Sequence, residues 1–116
     1  MIKTLKSELI LIEGEKIFGG EDLSINTPLK LQINSLKEDI CQISMIKNGI
    51  NLVVDFGWYP EDFEISKSSY FLLLVVQDFD WERPLFSKKI YEIEDVLHDF
   101  NLVLHRLRDG TISTPR

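Results

Sequence analysis

A run of seven apolar residues at positions 70–76, YFLLLVV, is the feature of this sequence that most constrains its fold. The run is far shorter than the roughly 20 residues that a membrane-spanning helix needs. It is also too uniformly apolar for a strand with one face in water. Its aromatic and β-branched residues favour a strand over a helix. We therefore expect these residues to form a strand in the middle of a sheet, covered on both faces.

The dipeptide Asn48-Gly49 predicts a β-hairpin with a two-residue type I′ turn. Such a turn fixes the register of the two strands, so that Cys41 would face Phe56 across the pair. The same register places the alternate apolar residues of both strands on one side of the sheet and the polar residues on the other. Because Cys41 would lie on the apolar side, we expect it to be a buried and unreactive core residue.

Shorter apolar segments predict the remaining strands. Alternation of apolar and polar residues, or a short apolar run between turn residues, marks four candidate strands, at positions 7–13, 16–18, 29–33 and 86–91. Glycine and proline separate them, and the segment 57–69 is typical of a loop because it contains Pro60, three acids and three serines.

The period of the apolar pattern changes from about Glu92. Six apolar residues then recur at helical spacing, namely Ile93, Val96, Leu97, Phe100, Leu104 and Leu107. Gly110 is a plausible end of this helix. Strands followed by one long helix predict an α+β fold, with an antiparallel-rich sheet of about five to six strands and the C-terminal helix packed on one face. We expect a single domain over residues 1–110 and a frayed tail over residues 111–116.

The charge and the cysteine content restrict the class of protein. The chain has 116 residues and a formal net charge of −6, whereas a nucleic-acid-binding protein usually carries a basic surface. No segment has the length or composition of a signal peptide or a membrane span. The single cysteine cannot form an internal disulfide, which favours a reducing compartment. We expect a cytoplasmic protein that associates with neither nucleic acid nor membrane.

The negative charge is concentrated in the same part of the chain as the aromatic residues. Residues 55–99 contain eleven acids and four bases, and ten of the twelve aromatic residues lie between Phe56 and Tyr91. Aromatic side chains are typical anchors of protein interfaces, and a surface of one sign attracts an oppositely charged partner. We therefore predict an acidic, aromatic surface that binds a basic protein, formed by two loops that contribute Trp58, Tyr59, Glu61, Asp62, Glu64, Asp78, Asp80, Trp81 and Glu82. The alternative is that the tryptophans cap the core and the acids only solvate the surface.

Catalytic or metal-binding patterns are weak in this sequence. Asp55, Asp78 and Asp80 could gather at strand ends as a carboxylate site, which would make the protein a small metal-dependent enzyme. His98 and His105 lie seven residues apart on the predicted helix, where they more simply border the apolar stripe. There is neither a nucleophile motif nor a glycine-rich phosphate loop. We expect no enzymatic activity, catalytic residue, cofactor or metal. Besides a binding protein and a metal-dependent enzyme, a third possible function is that of an accessory domain that self-associates through a sheet edge.

Two acidic aromatic segments, GWYPEDFE and QDFDWERP, occur in a small acidic α+β chain with one cysteine. In size, composition and layout the chain resembles the immunity proteins of bacterial polymorphic toxin and contact-dependent growth inhibition systems. The resemblance implies a cytoplasmic inhibitor that binds one cognate toxin domain tightly. We expect the protein itself to be a monomer or weak dimer. The resemblance further implies that the toxin is often a nuclease, and that the inhibitor blocks the active site or a nearby surface.

Overall fold

A five-stranded antiparallel sheet and a C-terminal helix form most of the protein, as seen in a computed structural model that describes residues 2–59 and 68–112. The strands are β1 (Lys16–Gly19), β2 (Cys41–Lys47), β3 (Ile50–Tyr59), β4 (Tyr70–Gln77) and β5 (Phe86–Ile90), and they lie side by side in chain order. The helices are α1 (Leu5–Glu8) and α2 (Ile93–Arg108). The predicted α+β fold is therefore confirmed.

The hairpin of β2 and β3 has the predicted turn and register. Asn48 and Gly49 have φ angles of 52° and 78°, as a type I′ turn requires. Cys41 faces Phe56, and the apolar residues of both strands alternate onto one side of the sheet. Cys41 is buried as expected, and burial, with a smaller effect of nearby carboxylates, raises the pKa of its thiol to about 12. At that pKa the thiol stays protonated and unreactive at neutral pH.

The prediction that the apolar run 70–76 is covered on both faces is wrong. Phe71, Leu73 and Val75 are fully buried on one face, whereas on the opposite face Val76 is buried but Tyr70, Leu72 and Leu74 are only partly buried. The central strand is β3, in which every residue from Leu52 to Trp58 is buried. The difference arises because α2 covers only one face of the sheet, and β4 lies one strand nearer to the edge.

The hydrophobic core lies between one face of the sheet and α2. Phe56 contacts Phe71 on β4 and Phe100 on α2, with ring centroids 5.1 and 5.5 Å apart. The predicted apolar stripe of α2 is buried in this core, except that Leu97 is only partly buried. The Cα atoms extend only 19 Å in the thinnest direction, as expected for two layers packed about 10 Å apart.

Two predicted strands in the N-terminal part are absent from the described residues. Within residues 7–13 the chain instead finishes a helical turn, because Thr4 and Ser7 form a capping box at the start of α1. Residues 29–33 fall in two 3-10 helices, Leu29–Leu31 and Ile33–Ser35. The Gln32 side chain holds this segment in place by hydrogen bonds to the backbone of Ser24 and Thr27.

The C-terminal end of α2 is tied to the N-terminal half of the chain. Arg108 donates two hydrogen bonds to the Glu15 carboxylate, at 2.6 and 2.9 Å. The Lys47 ammonium group donates to the carbonyl oxygen of Leu107. Gly110, at a φ angle of 81°, ends the helix as predicted, and Ile112 beyond it is buried. The packed chain thus continues to Ile112, whereas residues 113–116 of the predicted tail lie outside the described residues.

Candidate functional site

Trp58, predicted as a partner-binding residue, belongs to the core. Only 1% of its surface is exposed, and its ring meets Phe71 edge to face. The first three residues of the predicted loop are instead part of β3, which continues through Gly57 and Trp58 and pairs with β4 as far as Tyr59 opposite Tyr70. The interpretation of Trp58 as a core residue is therefore the correct one. Glu61, Asp62 and Glu64 lie outside the described residues.

The face of the sheet opposite α2, hereafter the outer face, carries Tyr59, whereas Asp78, Asp80, Trp81 and Glu82 lie in the turn that follows β4. The described segments outside the sheet contribute their buried apolar side chains to the core cluster on the other face. The outer face exposes Phe18 on β1 and Ile46 on β2, and it leaves Leu72 and Leu74 on β4 partly exposed. A sheet face with this much exposed apolar surface is typical of a binding surface.

Three tyrosines form a cluster at one end of the outer face. Tyr59 and Tyr70 face each other across β3 and β4 and stack with ring centroids 6.2 Å apart. Tyr91 lies 6.3 Å from Tyr70 and is exposed. The Lys89 ammonium group lies over the Tyr70 ring, 4.6 Å from its centroid. This tyrosine cluster presents aromatic surface with a polar tip, the chemistry that protein interfaces favour.

Carboxylates that the sequence did not predict lie beside the tyrosine cluster. Burial raises the pKa of Tyr59, and the negative charges of Asp55, Glu38 and Asp39 raise it further. Glu38 and Asp39 reach this position because the chain bulges where Ile40 donates to the carbonyl of Phe56 and Trp58 donates to the carbonyl of Lys37. No local pattern indicates this, since the contact depends on the register of β2 on β3.

Asp55 lies in the middle of β3 with its side chain on the outer face. Only 6% of its surface is exposed, and the Gln42 amide donates a hydrogen bond to it at 2.9 Å. Burial raises the pKa of Asp55, the Gln42 bond opposes that shift, and the negative charge of Asp39 adds to it. A carboxylate held in this way is a structural group, paired with a neutral amide.

A strained turn at the opposite end of the hairpin presents two further aromatics. The Asp80 amide donates to the Gln77 carbonyl at 3.0 Å, and the two residues between them, Asp78 and Phe79, have φ angles of 50° and 61°. Phe79 is 60% exposed, and Trp81 is 45% exposed. We call residues 77–82 the acidic turn. Phe79 was not among the predicted binding residues.

Two acids of the acidic turn have partners within the chain. Asp78 accepts a hydrogen bond on its carboxylate from the backbone N–H of Asn51 at 3.2 Å, which fixes the turn on the end of β3. Asp80 pairs with Arg83 at 3.1 Å on the surface. Glu82 is exposed. The turn is therefore acidic in net charge, although Arg83 partly neutralises it.

The described candidates do not form one contiguous patch. The tyrosine cluster lies at the pair Tyr59–Tyr70, and the acidic turn follows the pair Leu52–Gln77. Along β3 these pairs are seven residues apart, or about 24 Å. Tyr59 and the acidic turn therefore lie at opposite ends of the β3–β4 pair rather than in a single cluster.

The structure does not bring the three candidate metal-binding aspartates together. Asp78 contacts Asn51, which lies four residues along β3 from Asp55, or about 13 Å. Within residues 2–59 and 68–112 no three residues of the types His, Cys, Asp and Glu are placed to hold a metal ion. His98 and His105 are both exposed, and His105 lies 3.7 Å from Asp109. In the same ranges no helix has the length and apolar character needed to cross a membrane.

The fold and the outer face define a small α+β protein with exposed aromatics at both ends of its central hairpin. The chain matches no protein-family model, no curated protein and no solved structure. The function is therefore argued from the surface residues themselves.

Proposed function

We propose that this protein is an immunity-type protein that binds and neutralises a cognate toxin domain, as in bacterial contact-dependent growth inhibition. It acts in the cytoplasm without catalysis, and the surface of its partner is basic. The observation that carries the proposal is the exposure of Phe79 and Trp81 on one turn that also contains Asp78, Asp80 and Glu82.

Exposed aromatics beside acids fit a basic protein surface better than any other partner. Buried aromatic anchors supply most of the free energy of typical interfaces, whereas surrounding charges mainly steer association. A chain with a net charge of −6 repels nucleic acid and attracts a basic protein at long range. A nuclease domain, which must itself bind nucleic acid, is one partner with such a surface.

The outer face is the right size for one interface. A standard interface buries about 800 Å² on each partner, which as a round patch is about 32 Å across. The tyrosine cluster and the acidic turn are about 24 Å apart, so that one toxin domain of ordinary size could contact both ends. Glu38 and Asp39 would then act as additional acids at the tyrosine end.

Self-association of two copies through a sheet edge is a weaker candidate for the function than binding of a toxin domain. Both edge strands carry lysine, Lys16 on β1 and Lys88 and Lys89 on β5, and lysine on an edge strand disfavours pairing with a second chain. Lys88 pairs with Asp99 on α2 at 3.1 Å, and Lys89 lies over Tyr70. We therefore propose a monomer or weak dimer, which sedimentation at several concentrations would check.

The proposed function predicts that a neighbouring gene encodes the toxin domain, and the product of that gene is the partner to test. The wild-type chain should protect cells that express this domain and should bind it when both are purified. Trp81→Ala should weaken binding and protection, whereas Leu102→Ala, an equally exposed apolar residue on α2, should change neither. Glu82→Gln should slow association more than it speeds dissociation, and added salt should reduce that difference. A neighbouring product that does not bind the wild-type chain would overturn the proposal.

A further inference from the structure

We infer that Phe79 is the principal anchor of the partner interface, and that the acidic turn keeps a strained backbone in order to present it. The inference rests on the proposed function and adds to it a residue, a cavity and a kind of partner side chain. It is carried by three independent features of Phe79: its backbone conformation, its exposure and the cavity beside it.

The backbone at Phe79 is unfavourable for its residue type. A φ angle of 61° lies in the left-handed region, which glycine adopts without steric cost and which asparagine and aspartate tolerate. In the corresponding turn between β2 and β3 the second central position is Gly49. The same position in the acidic turn holds a phenylalanine, whose Cβ clashes locally in that region. Among the described residues outside glycine, only Asn48, Asp78 and Phe79 have positive φ angles.

Packing does not explain why a phenylalanine occupies this position. The Phe79 ring is 60% exposed and belongs to neither the core cluster nor any aromatic pair among the described residues. In the isolated protein this residue therefore lowers stability through its backbone strain and gains little from burial of its ring. Strain of this kind is found where a function requires it.

A cavity beside Phe79 is the second part of the inferred site, because a side chain of the partner can bind in it. The cavity has a volume of about 380 Å³, and its lining includes Phe79 together with Lys16, Ser44, Asn51 and Val53 of the outer face. The ammonium group of Lys16 disfavours a cation inside the cavity. We therefore assign the cavity to an apolar or aromatic side chain of the partner, and the acids of the turn to basic residues around that side chain.

The strain is tested in the isolated protein, without any partner. Phe79→Gly should raise the melting temperature by roughly 2–5 °C, because relief of the left-handed strain exceeds the entropic cost of glycine. Asn48→Gly is the matched control, since Asn48 has nearly the same φ angle but a residue type that tolerates it. It should leave the melting temperature within about 1 °C. A Phe79→Gly variant that melts at or below the wild-type temperature would overturn the claim of strain.

The anchor is tested with the purified toxin domain of the neighbouring gene. Phe79→Gly and Phe79→Ala should each raise the dissociation constant by about 30-fold or more, chiefly through faster dissociation. Phe79→Trp, which keeps a large ring, should retain most of the affinity, and Leu102→Ala should bind as the wild type does. Ser44→Phe, which places a ring in the cavity, should weaken binding without lowering the melting temperature.

The outcomes separate the inference from the proposed function. If the wild-type chain binds and the Phe79 variants bind equally well, the inference is overturned while the proposed function stands. If Phe79→Ala weakens binding and Ser44→Phe does not, Phe79 stands as the anchor and the assignment of the cavity to a partner side chain is overturned. If the wild-type chain does not bind, the proposed function itself is overturned, and the anchor with it.

Discussion

The indole ring of Trp58 meets the ring of Phe71 edge to face, with centroids 4.8 Å apart. Phe71 in turn stacks on Phe56, which contacts Phe100 on α2. Trp58 therefore extends the aromatic core to the end of β3, directly next to Tyr59, which belongs to the outer face. Two adjacent aromatics of one strand thus have opposite roles, because successive side chains of a strand point to opposite faces.

The two tryptophans should respond oppositely to truncation. Trp58→Ala should lower the free energy of unfolding by about 3–5 kcal/mol, the usual loss for a large buried side chain. Trp81→Ala should lower it by less, about 1 kcal/mol, because 45% of the Trp81 surface is already exposed. Urea denaturation of both variants measures the difference. Equal losses would mean that Trp81 also serves as a core residue.

Gly57 and Gly49 should both resist substitution, for different reasons. A Cβ atom at Gly57 would lie 1.8 Å from the carbonyl oxygen of Glu38, so Gly57→Ala must displace the bulge that carries Glu38 and Asp39. At Gly49 a Cβ atom meets nothing within 4 Å, and only the φ angle of 78° opposes substitution. We expect Gly49→Val to cost about 1–3 kcal/mol and Gly57→Ala to cost more.

The spectrum of the tyrosine cluster distinguishes the two glycine variants further. Gly57→Ala should also change the environment of Tyr59, because the bulge brings Glu38 and Asp39 to that side chain. Gly49→Val should leave the Tyr59 environment unchanged, since the turn lies at the other end of β3. Tyrosine fluorescence or near-ultraviolet circular dichroism reports this. An unperturbed cluster in Gly57→Ala would contradict the clash.

The parts of the fold that were predicted correctly depend on interactions close in sequence. The turn at Asn48-Gly49 sets its own register, and the stripe of α2 follows from helical spacing alone. The prediction of strands at segments 7–13 and 29–33 is wrong, because alternating apolar residues also occur in a segment that packs one side on the core without pairing with another strand. Leu9, Leu11, Leu29 and Ile33 pack on the core, while capping by Thr4 and hydrogen bonds from Gln32 hold the backbone.

The candidate site was less predictable than the fold, because it depends on register and on backbone strain. Proximity in sequence suggested that Trp58 and Tyr59 act together, yet strand alternation places them on opposite faces. Glu38 joins the site only through the bulge opposite Gly57. Phe79 lies between two predicted residues, Asp78 and Asp80, but composition does not reveal its left-handed φ angle.

The Glu15–Arg108 pair should make stability sensitive to acid. Burial by itself would raise the pKa of Glu15, but hydrogen bonds from Arg108 and from the Ile12 amide outweigh it and hold the pKa below its usual value of 4.5. A carboxylate with a lowered pKa stabilises the fold above its unfolded pKa, and this contribution is lost as the pH falls through the folded pKa. Glu15→Gln should therefore cost about 1–3 kcal/mol at neutral pH and progressively less below about pH 4.5.

An exposed pair provides the control for Glu15. Glu8 lies 4.0 Å from Lys3 on the surface, and surface pairs of this kind contribute less than about 1 kcal/mol. Glu8→Gln should therefore change the free energy of unfolding little at any pH. A difference between wild type and Glu15→Gln that stays constant from neutral pH down to acid would contradict the assignment.

Asp55 should show the opposite dependence on pH. Its pKa is raised above the usual 3.8, first by burial and then by Asp39, while the Gln42 bond only partly offsets these effects. Between 3.8 and its folded pKa the native state binds more protons than the unfolded state, so this group makes stability fall as the pH rises through that window. Asp55→Asn removes the charge and keeps an oxygen that accepts from Gln42. The stability of this variant relative to wild type should therefore increase as the pH rises through the window and then level off. Urea denaturation of both proteins across that range measures it, and a relative stability that fell as the pH rose would show that the Asp55 carboxylate stabilises the fold.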